Sequence, residues 1–139
     1  MGAWYPIGIA AGVGVAIGLL FAGIAAPRRP ATLFAVLAVS AGAALAIGYV
    51  LEEWGALAGI VGSMIGVLVG SQLVGGTLGR GGTRGGTAFL VVGAAAILAA
   101  LALVPVVGYL EAAVLPVLGA RLRRRAGSTY AGLRILARD

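Results

Sequence analysis

Few side chains within the apolar stretches of this sequence could do chemistry. They are Ser40, Ser63, Ser71, Gln72 and Glu111. A serine hydroxyl can donate to a carbonyl of its own helix, so these three serines are weak candidates. The amide of Gln72 needs partners in hydrocarbon. It makes either a hydrogen bond between helices or a contact to a permeating ion or polar substrate, and we take Gln72 and its neighbour Ser71 as candidates for a polar pathway.

Glu111 is the strongest single candidate for a functional residue. An ionised carboxylate deep in a membrane is costly, so such a group is paired, protonated or open to water. It could then carry a proton or coordinate a cation. In the alternative interpretation Glu111, close to Tyr109, lies exposed at the outer end of a helical hairpin. Glu52 and Glu53, beside Trp54, are predicted to form a loop at the membrane interface.

Four arginines lie in two turns between apolar stretches and are candidates for anion binding. Arg28 and Arg29 are enclosed by prolines, and the loop 79–86 carries Arg80 and Arg84 among glycines. Backbone N–H groups of glycine-rich loops can converge on an anion. The loop lacks the Lys-Ser/Thr ending of a P-loop, however, and no predicted strand precedes it. Either it is a plain turn, or the four arginines bind head groups of phospholipids or polyprenyl phosphates.

An enzymatic activity is not expected from these residue types. The sequence has no His, Cys or Lys, and its only Asp is the last residue, Asp139. The usual metal sites and Cys or His nucleophile systems therefore cannot be built, and a serine nucleophile would have no base. Nothing in the sequence matches a cofactor fingerprint, so we predict no enzyme, no metal site and no cofactor.

The composition indicates a membrane protein. Hydrophobic residues make up 61% of the 139 residues and charged residues only 10%, whereas soluble domains are about 25% charged. The net charge of +6 fits contact with anionic lipid head groups. No aromatic residues alternate with the basic cluster to stack on bases, so nucleic-acid binding is not expected. The N-terminus lacks the basic region of a signal peptide, which favours a retained first span.

The apolar stretches predict about five short membrane-spanning helices. A span must cross roughly 30 Å of hydrocarbon. Three stretches meet this need directly: 7–26, 31–51 and 55–78. A fourth, 87–120, is too long for one span, and each half is slightly short for two. A hairpin turning near 105–109 would place all arginine-bearing turns on one side, as the positive-inside rule requires.

We therefore predict an all-α polytopic bundle over residues 1–120, with four spans and a short or re-entrant fifth. It would lie in the plasma (inner) membrane with its N-terminus outside and its C-terminus in the cytoplasm. Residues 121–139 would form a basic cytoplasmic tail, in which Ser128 caps a short amphipathic helix over 129–138. This helix would lie in the membrane interface, or the tail would be solvated or link to a partner.

Small residues at intervals of four predict close helix packing. Gly14 and Gly18 in the first span match Gly62 and Gly66 in the third at an offset of 48 residues, and Gly70 continues the second row. In lipid such rows let backbones approach each other. They would form an intramolecular pair, a homodimer contact or a pore lining. The alignment favours a duplicated helical hairpin with a parallel repeat, although Gly and Ala are common enough here for chance matches.

Two functions remain open. The first is a homo-oligomeric channel or transporter component with Gln72, Glu111 and Ser71 as polar contacts, since five short spans leave little room for a pathway inside one protomer. The second is a non-catalytic scaffold or accessory subunit. Its basic tail would dock a cytoplasmic or membrane protein, or anionic lipid.

Overall fold

The structure consists of five helices joined by short turns. The computed structural model describes Gly2 and residues 4–136, with the side chains of these residues apart from those at 105, 122, 123 and 125–136. Within these residues the chain contains no strand, and its helices are α1 (Trp4–Ala25), α2 (Pro30–Leu51), α3 (Glu53–Gly79), α4 (Arg84–Leu101) and α5 (Pro105–Leu136). The all-α prediction is confirmed.

Local sequence explains where the helices begin and end. Pro30 opens α2, where its missing N–H needs no partner. Thr32 Oγ1 accepts from the N–H of Arg29 at 3.2 Å and donates to its carbonyl at 2.8 Å. Glu52 alone separates α2 from α3, in an extended conformation. Thr83 caps α4, its Oγ1 accepting from the N–H of Gly86 at 3.2 Å.

Successive helices alternate in direction. Gly48 of α2 lies against Gly55 of α3, and Ala44 lies against Gly59, so these two helices are antiparallel. The other successive helices also alternate in direction, so the turns between them fall alternately at two opposite ends of the bundle. The arginine end carries Arg28, Arg29, Arg80 and Arg84, and the glutamate end carries Glu52, Glu53 and the turn 102–104.

The outside of the bundle suits lipid. In the described residues, α1 to α4 are each long and apolar enough to cross a membrane. Large apolar side chains face outward on α2 and α4: Phe34 is 70% exposed, Val50 84% and Phe89 79%. Such a surface would be an aggregation liability in water. The segment 105–120 of α5 would span only about 24 Å, which fits the predicted short fifth pass.

Helix α1 occupies the middle of the bundle. It packs against all four other helices, most extensively against α3. In the most apolar 18-residue stretch of α1, 61% of the residues are buried, compared with 11% in the corresponding stretch of α4. A bundle with a helix on its axis has no room there for a water-filled lumen.

The contact between α1 and α3 is made by glycines. A Cβ added at Gly18 would overlap the carbonyl of Ser63, and a Cβ added at Gly66 would overlap the carbonyl of Val15. At the arginine end of the same contact a Cβ on Gly70 would lie 2.8 Å from the Cβ of Ala22. The two backbones therefore touch along most of their length, and in lipid the dispersion attraction between them would hold the pair together.

Three details differ from the sequence predictions. The loop predicted over 79–86 is only Arg80–Thr83, because α4 begins at its Thr83 cap. The hairpin turns at 102–104, just before the range 105–109, since proline favours the first position of α5. Helix α5 continues through Ser128 to Leu136, so no separate tail helix begins there. The Arg-, Leu- and Ala-rich sequence favours helix. Residues 137–139 lie outside the described residues.

Candidate functional site

The carboxyl group of Glu111 is buried between α5 and α1. Glu111 lies in the second turn of α5 and is only 7% exposed. In the part of the chain that the structure describes, neither carboxyl oxygen has a hydrogen-bond partner. Its Oε2 lies 3.1 Å from the position that a Cβ on Gly12 would take, and Gly108 and Ala102 crowd the same position. The interpretation of Glu111 as an exposed residue at the outer end of the hairpin is therefore wrong.

Glycines and one hydrogen bond bring α5 to this position. A Cβ on Gly108 would overlap the carbonyl of Gly8, so α5 and α1 touch backbone to backbone one turn before the carboxyl. Tyr109 donates its hydroxyl to the carbonyl of Trp4 at 2.8 Å, which fixes the start of α5 against the start of α1. With no side chain on Gly12, the carboxyl fits into the contact between the helices.

No described cation neutralises this carboxyl. The carboxyl lies at the level of Gly12 in the bundle. Arg28 follows Gly12 by 16 residues, which corresponds to about 24 Å along a helix. Arg29, Arg80 and Arg84 share the arginine end with Arg28. Arg121 and Arg124 follow Glu111 on α5 by 10 and 13 residues, which places them about 15 Å or more further along the helix. A buried polar group without a partner is rare in proteins and needs a physical explanation, such as a catalytic role or a bound ion. In this position a carboxyl can take up a proton or a small cation.

The serines within the spans are satisfied by their own helices. Ser40 donates to the carbonyl of Leu37 at 3.2 Å, and Ser63 donates to that of Ile60 at 2.8 Å. Ser71 donates to the carbonyl of Leu68 at 3.0 Å. Ser40 and Ser63 are completely buried, so their short side chains serve close packing.

The predicted polar contacts do not form one site. Gln72 and Ser71 lie toward the arginine end of α3, and the amide of Gln72 is near Gly119 of α5. Gly119 follows Glu111 by eight residues, about 12 Å along the helix. Gln72 and Glu111 therefore occupy different levels of the bundle.

Comparison with protein-family models, with curated proteins and with solved structures gives no match.

Gln72 and Ser71 instead lie beside two of the predicted anion-binding arginines. A cleft of about 350 Å³ at the arginine end is lined by Pro27, Arg28, Arg29, Pro30, Leu33, Phe34, Ser71 and Gln72. Arg80 and Arg84 are at the same end but do not line this cleft. Sequence reasoning missed the grouping, because the register between the start of α2 and the last third of α3 depends on the glycine contacts.

The residues around Glu111 were also missed. Gly8 and Gly12 are spaced by four on a face of α1 different from that of Gly14 and Gly18, which contact α3. This second row of small residues was a usable signal for another close helix contact. Nothing in the sequence indicated that its partner would be Gly108.

Proposed function

We propose that this protein is a component of a homo-oligomeric channel or transporter for protons or small monovalent cations, with Glu111 as its ionisable group. The observation that carries the proposal is the buried carboxyl with no described partner, placed between two helices of an apolar bundle. Intramembrane carboxyls are costly to retain, and proton relays and cation sites are their usual roles.

The position of α1 supports an oligomeric pathway. Because α1 fills the axis of the protomer, ions cannot pass along that axis. A path to Glu111 would instead run along the outside of the α1–α5 contact. A second copy of the chain facing this surface would shield the path from lipid.

Access to Glu111 requires movement of α5. The carboxyl oxygens are sealed between α1 and α5 in this conformation. Helix α5 packs mainly on α1 and makes far smaller contacts with α3 and α4. Separation of the start of α5 from α1 would break the Gly8–Gly108 contact and the Tyr109–Trp4 hydrogen bond, and it would leave the α1–α3 contact intact.

A flux assay in liposomes tests the proposal. The purified protein would be reconstituted with an internal pH-sensitive dye, and proton, Na⁺ and K⁺ fluxes would be driven by imposed gradients. We expect a flux that is lost in Glu111→Gln and retained in the matched control Glu52→Gln at the glutamate end. No flux of any of these ions in the wild type, or equal flux in Glu111→Gln, would overturn the proposal. Flux from a protein that is monomeric in the same vesicles would overturn its oligomeric part.

A second candidate function is favoured by the length of α5. This helix continues from Arg121 to Leu136, roughly 24 Å beyond the short fifth pass. Arg121 and Arg124 are exposed on it. A basic helical extension suits an accessory subunit that docks an acidic protein partner. Truncation after residue 120 would then abolish partner co-purification, whereas an ion-transporting component would keep its flux after the same truncation.

A further inference from the structure

The cleft at the arginine end combines charge with an amide donor. Arg28 and Arg29 are exposed, and none of the described residues lining the cleft is acidic. Glu52 and Glu53 lie at the far end of α2, a helix of 22 residues, about 33 Å away. The half-buried amide of Gln72 borders the same space. Two guanidinium groups and an amide N–H₂ match the oxygens of a phosphate group.

An apolar groove adjoins this cleft. It measures about 210 Å³ and is lined by Ile65, Leu68, Val69, Gln72, Pro116, Gly119 and Ala120. Among the described residues Gln72 is the one that lines both spaces, so its side chain lies between the groove and the polar cleft. From Gln72 the groove follows α3 back toward Ile65, over seven residues or about 10 Å. This direction leads from the arginine end toward the middle of the bundle.

The two spaces together have the form of an amphiphile site. Polar groups lie at the level where lipid head groups meet a membrane protein, and apolar walls lead inward from them, parallel to the spans. Leu33 and Phe34 add apolar contact beside the arginines. The absence of a Cβ at Gly119 keeps the groove open beside Val69.

We propose that these two neighbouring spaces bind an anionic phospholipid. Its phosphate lies between Arg28, Arg29 and the amide of Gln72, and one acyl chain lies in the groove between α3 and α5. This site is separate from Glu111, and the proposal does not depend on ion transport.

Lipid titrations of the detergent-purified protein test this proposal. The midpoint of thermal unfolding would be followed by the fluorescence of Trp4 and Trp54, which lie at the glutamate end and away from the cleft. The four probes are long-chain phosphatidylglycerol, short-chain phosphatidylglycerol, phosphatidylcholine and inorganic phosphate. We expect the largest rise in midpoint with long-chain phosphatidylglycerol and little change with phosphatidylcholine. An equal rise with phosphatidylcholine would refute the head-group contact, and a full rise with inorganic phosphate would refute the acyl-chain contact.

Paired variants separate the site from general charge attraction. The double variant Arg28→Ala/Arg29→Ala and the single variant Gln72→Leu remove the phosphate contacts. The control Arg80→Ala/Arg84→Ala removes the same charge at the same end, outside the cleft. Charge-assisted hydrogen bonds to a phosphate are about twice as strong as neutral ones, so loss of these direct contacts should weaken phosphatidylglycerol binding by the first double variant about tenfold or more. The control should bind nearly as well as the wild type, and equal loss in both double variants would overturn the proposal.

Discussion

Gly14 of α1 lies so close to the carbonyl of Gly59 of α3 that no Cβ would fit between them. The same contact occurs with the two helices exchanged: Gly62 of α3 lies equally close to the carbonyl of Ala11 of α1. An offset of 48 residues relates Gly14 to Gly62 and Ala11 to Gly59. Reciprocal contacts of this kind characterise a two-fold interface. Thus α1 and α3 pack as equivalent partners about an axis between them.

Helices α2 and α4, which follow α1 and α3 along the chain, show the same symmetry. Helix α2 packs more extensively on α3 than on α1, and α4 packs more extensively on α1 than on α3. The similar sequences at 48–52 and 108–111 do not follow this arrangement, because Gly48 is near the end of α2 and Gly108 is in the first turn of α5. Helix α5 breaks the symmetry and adds the carboxyl that the other half lacks.

Substitution of Gly18 should destabilise the bundle. In Gly18→Ala the new Cβ meets the carbonyl of Ser63, and overpacking of this kind costs about 1–3 kcal/mol. Gly42→Ala is the matched control, since a Cβ there meets nothing within 4 Å. The measurement is the free energy of unfolding in mixed micelles. Equal stability of the two variants would show that the glycine contact does not hold α1 on α3.

Removal of the Glu111 carboxyl should stabilise the fold. Glu111→Met replaces a buried polar group without a described partner by an apolar side chain of similar length. An unsatisfied buried polar group costs about 1–3 kcal/mol, so the unfolding free energy should rise by about this amount. Glu53→Met, at an exposed position of the first turn of α3, should change it by less than about 1 kcal/mol. A clear loss of stability in Glu111→Met would mean that the carboxyl has a partner.

The hydrogen bond from Tyr109 to Trp4 should contribute to the docking of α5. Tyr109→Phe removes the donor to the Trp4 carbonyl and should lower the unfolding free energy by about 0.5–1.5 kcal/mol. Tyr49→Phe is the control, because Tyr49 is 63% exposed on α2. The same micelle titration measures both variants. An unchanged stability in Tyr109→Phe would remove this bond from the account of the Glu111 site.

The two ends of the bundle should face opposite sides of the membrane. The natural chain has no cysteine, so single cysteines can be placed without a background. With a membrane-impermeant maleimide on oriented vesicles, Arg29→Cys and Thr83→Cys should label from one side, and Glu53→Cys and Leu103→Cys from the other. Labelling of Thr83→Cys and Leu103→Cys from the same side would show that α4 does not cross the membrane.

The helices were largely predictable from the sequence, but the faces they bury were not. Pro30 and Glu52 mark helix ends by their chemistry, and the distribution of arginines is enough to separate α4 from α5. In a membrane bundle both the interior and the lipid-facing surface are apolar, so hydrophobic periodicity cannot identify the buried face. Only the positions of small residues indicate which face of a helix is buried, and they do not indicate which helix packs against that face.

For this reason the candidate site was only partly predicted. Glu111 stood out by its charge within an apolar stretch, but its burial depends on Gly12 and Gly108 meeting across two helices. Gln72 stood out by its amide, but its neighbours Arg28 and Arg29 come from a distant turn. Residue type identified the polar and charged groups of both sites, but their neighbours became known only from the packing.

The most direct test of Glu111 as the ionisable group is its modification by the apolar reagent dicyclohexylcarbodiimide. The extent of adduct on Glu111, determined by mass spectrometry of the peptide containing it, and the remaining ion flux would be measured on the same vesicles. We expect the flux to fall in proportion to the modified fraction of Glu111, while Glu52 and Glu53 stay unmodified. Full flux with Glu111 modified, or loss of flux with Glu111 intact, would contradict it.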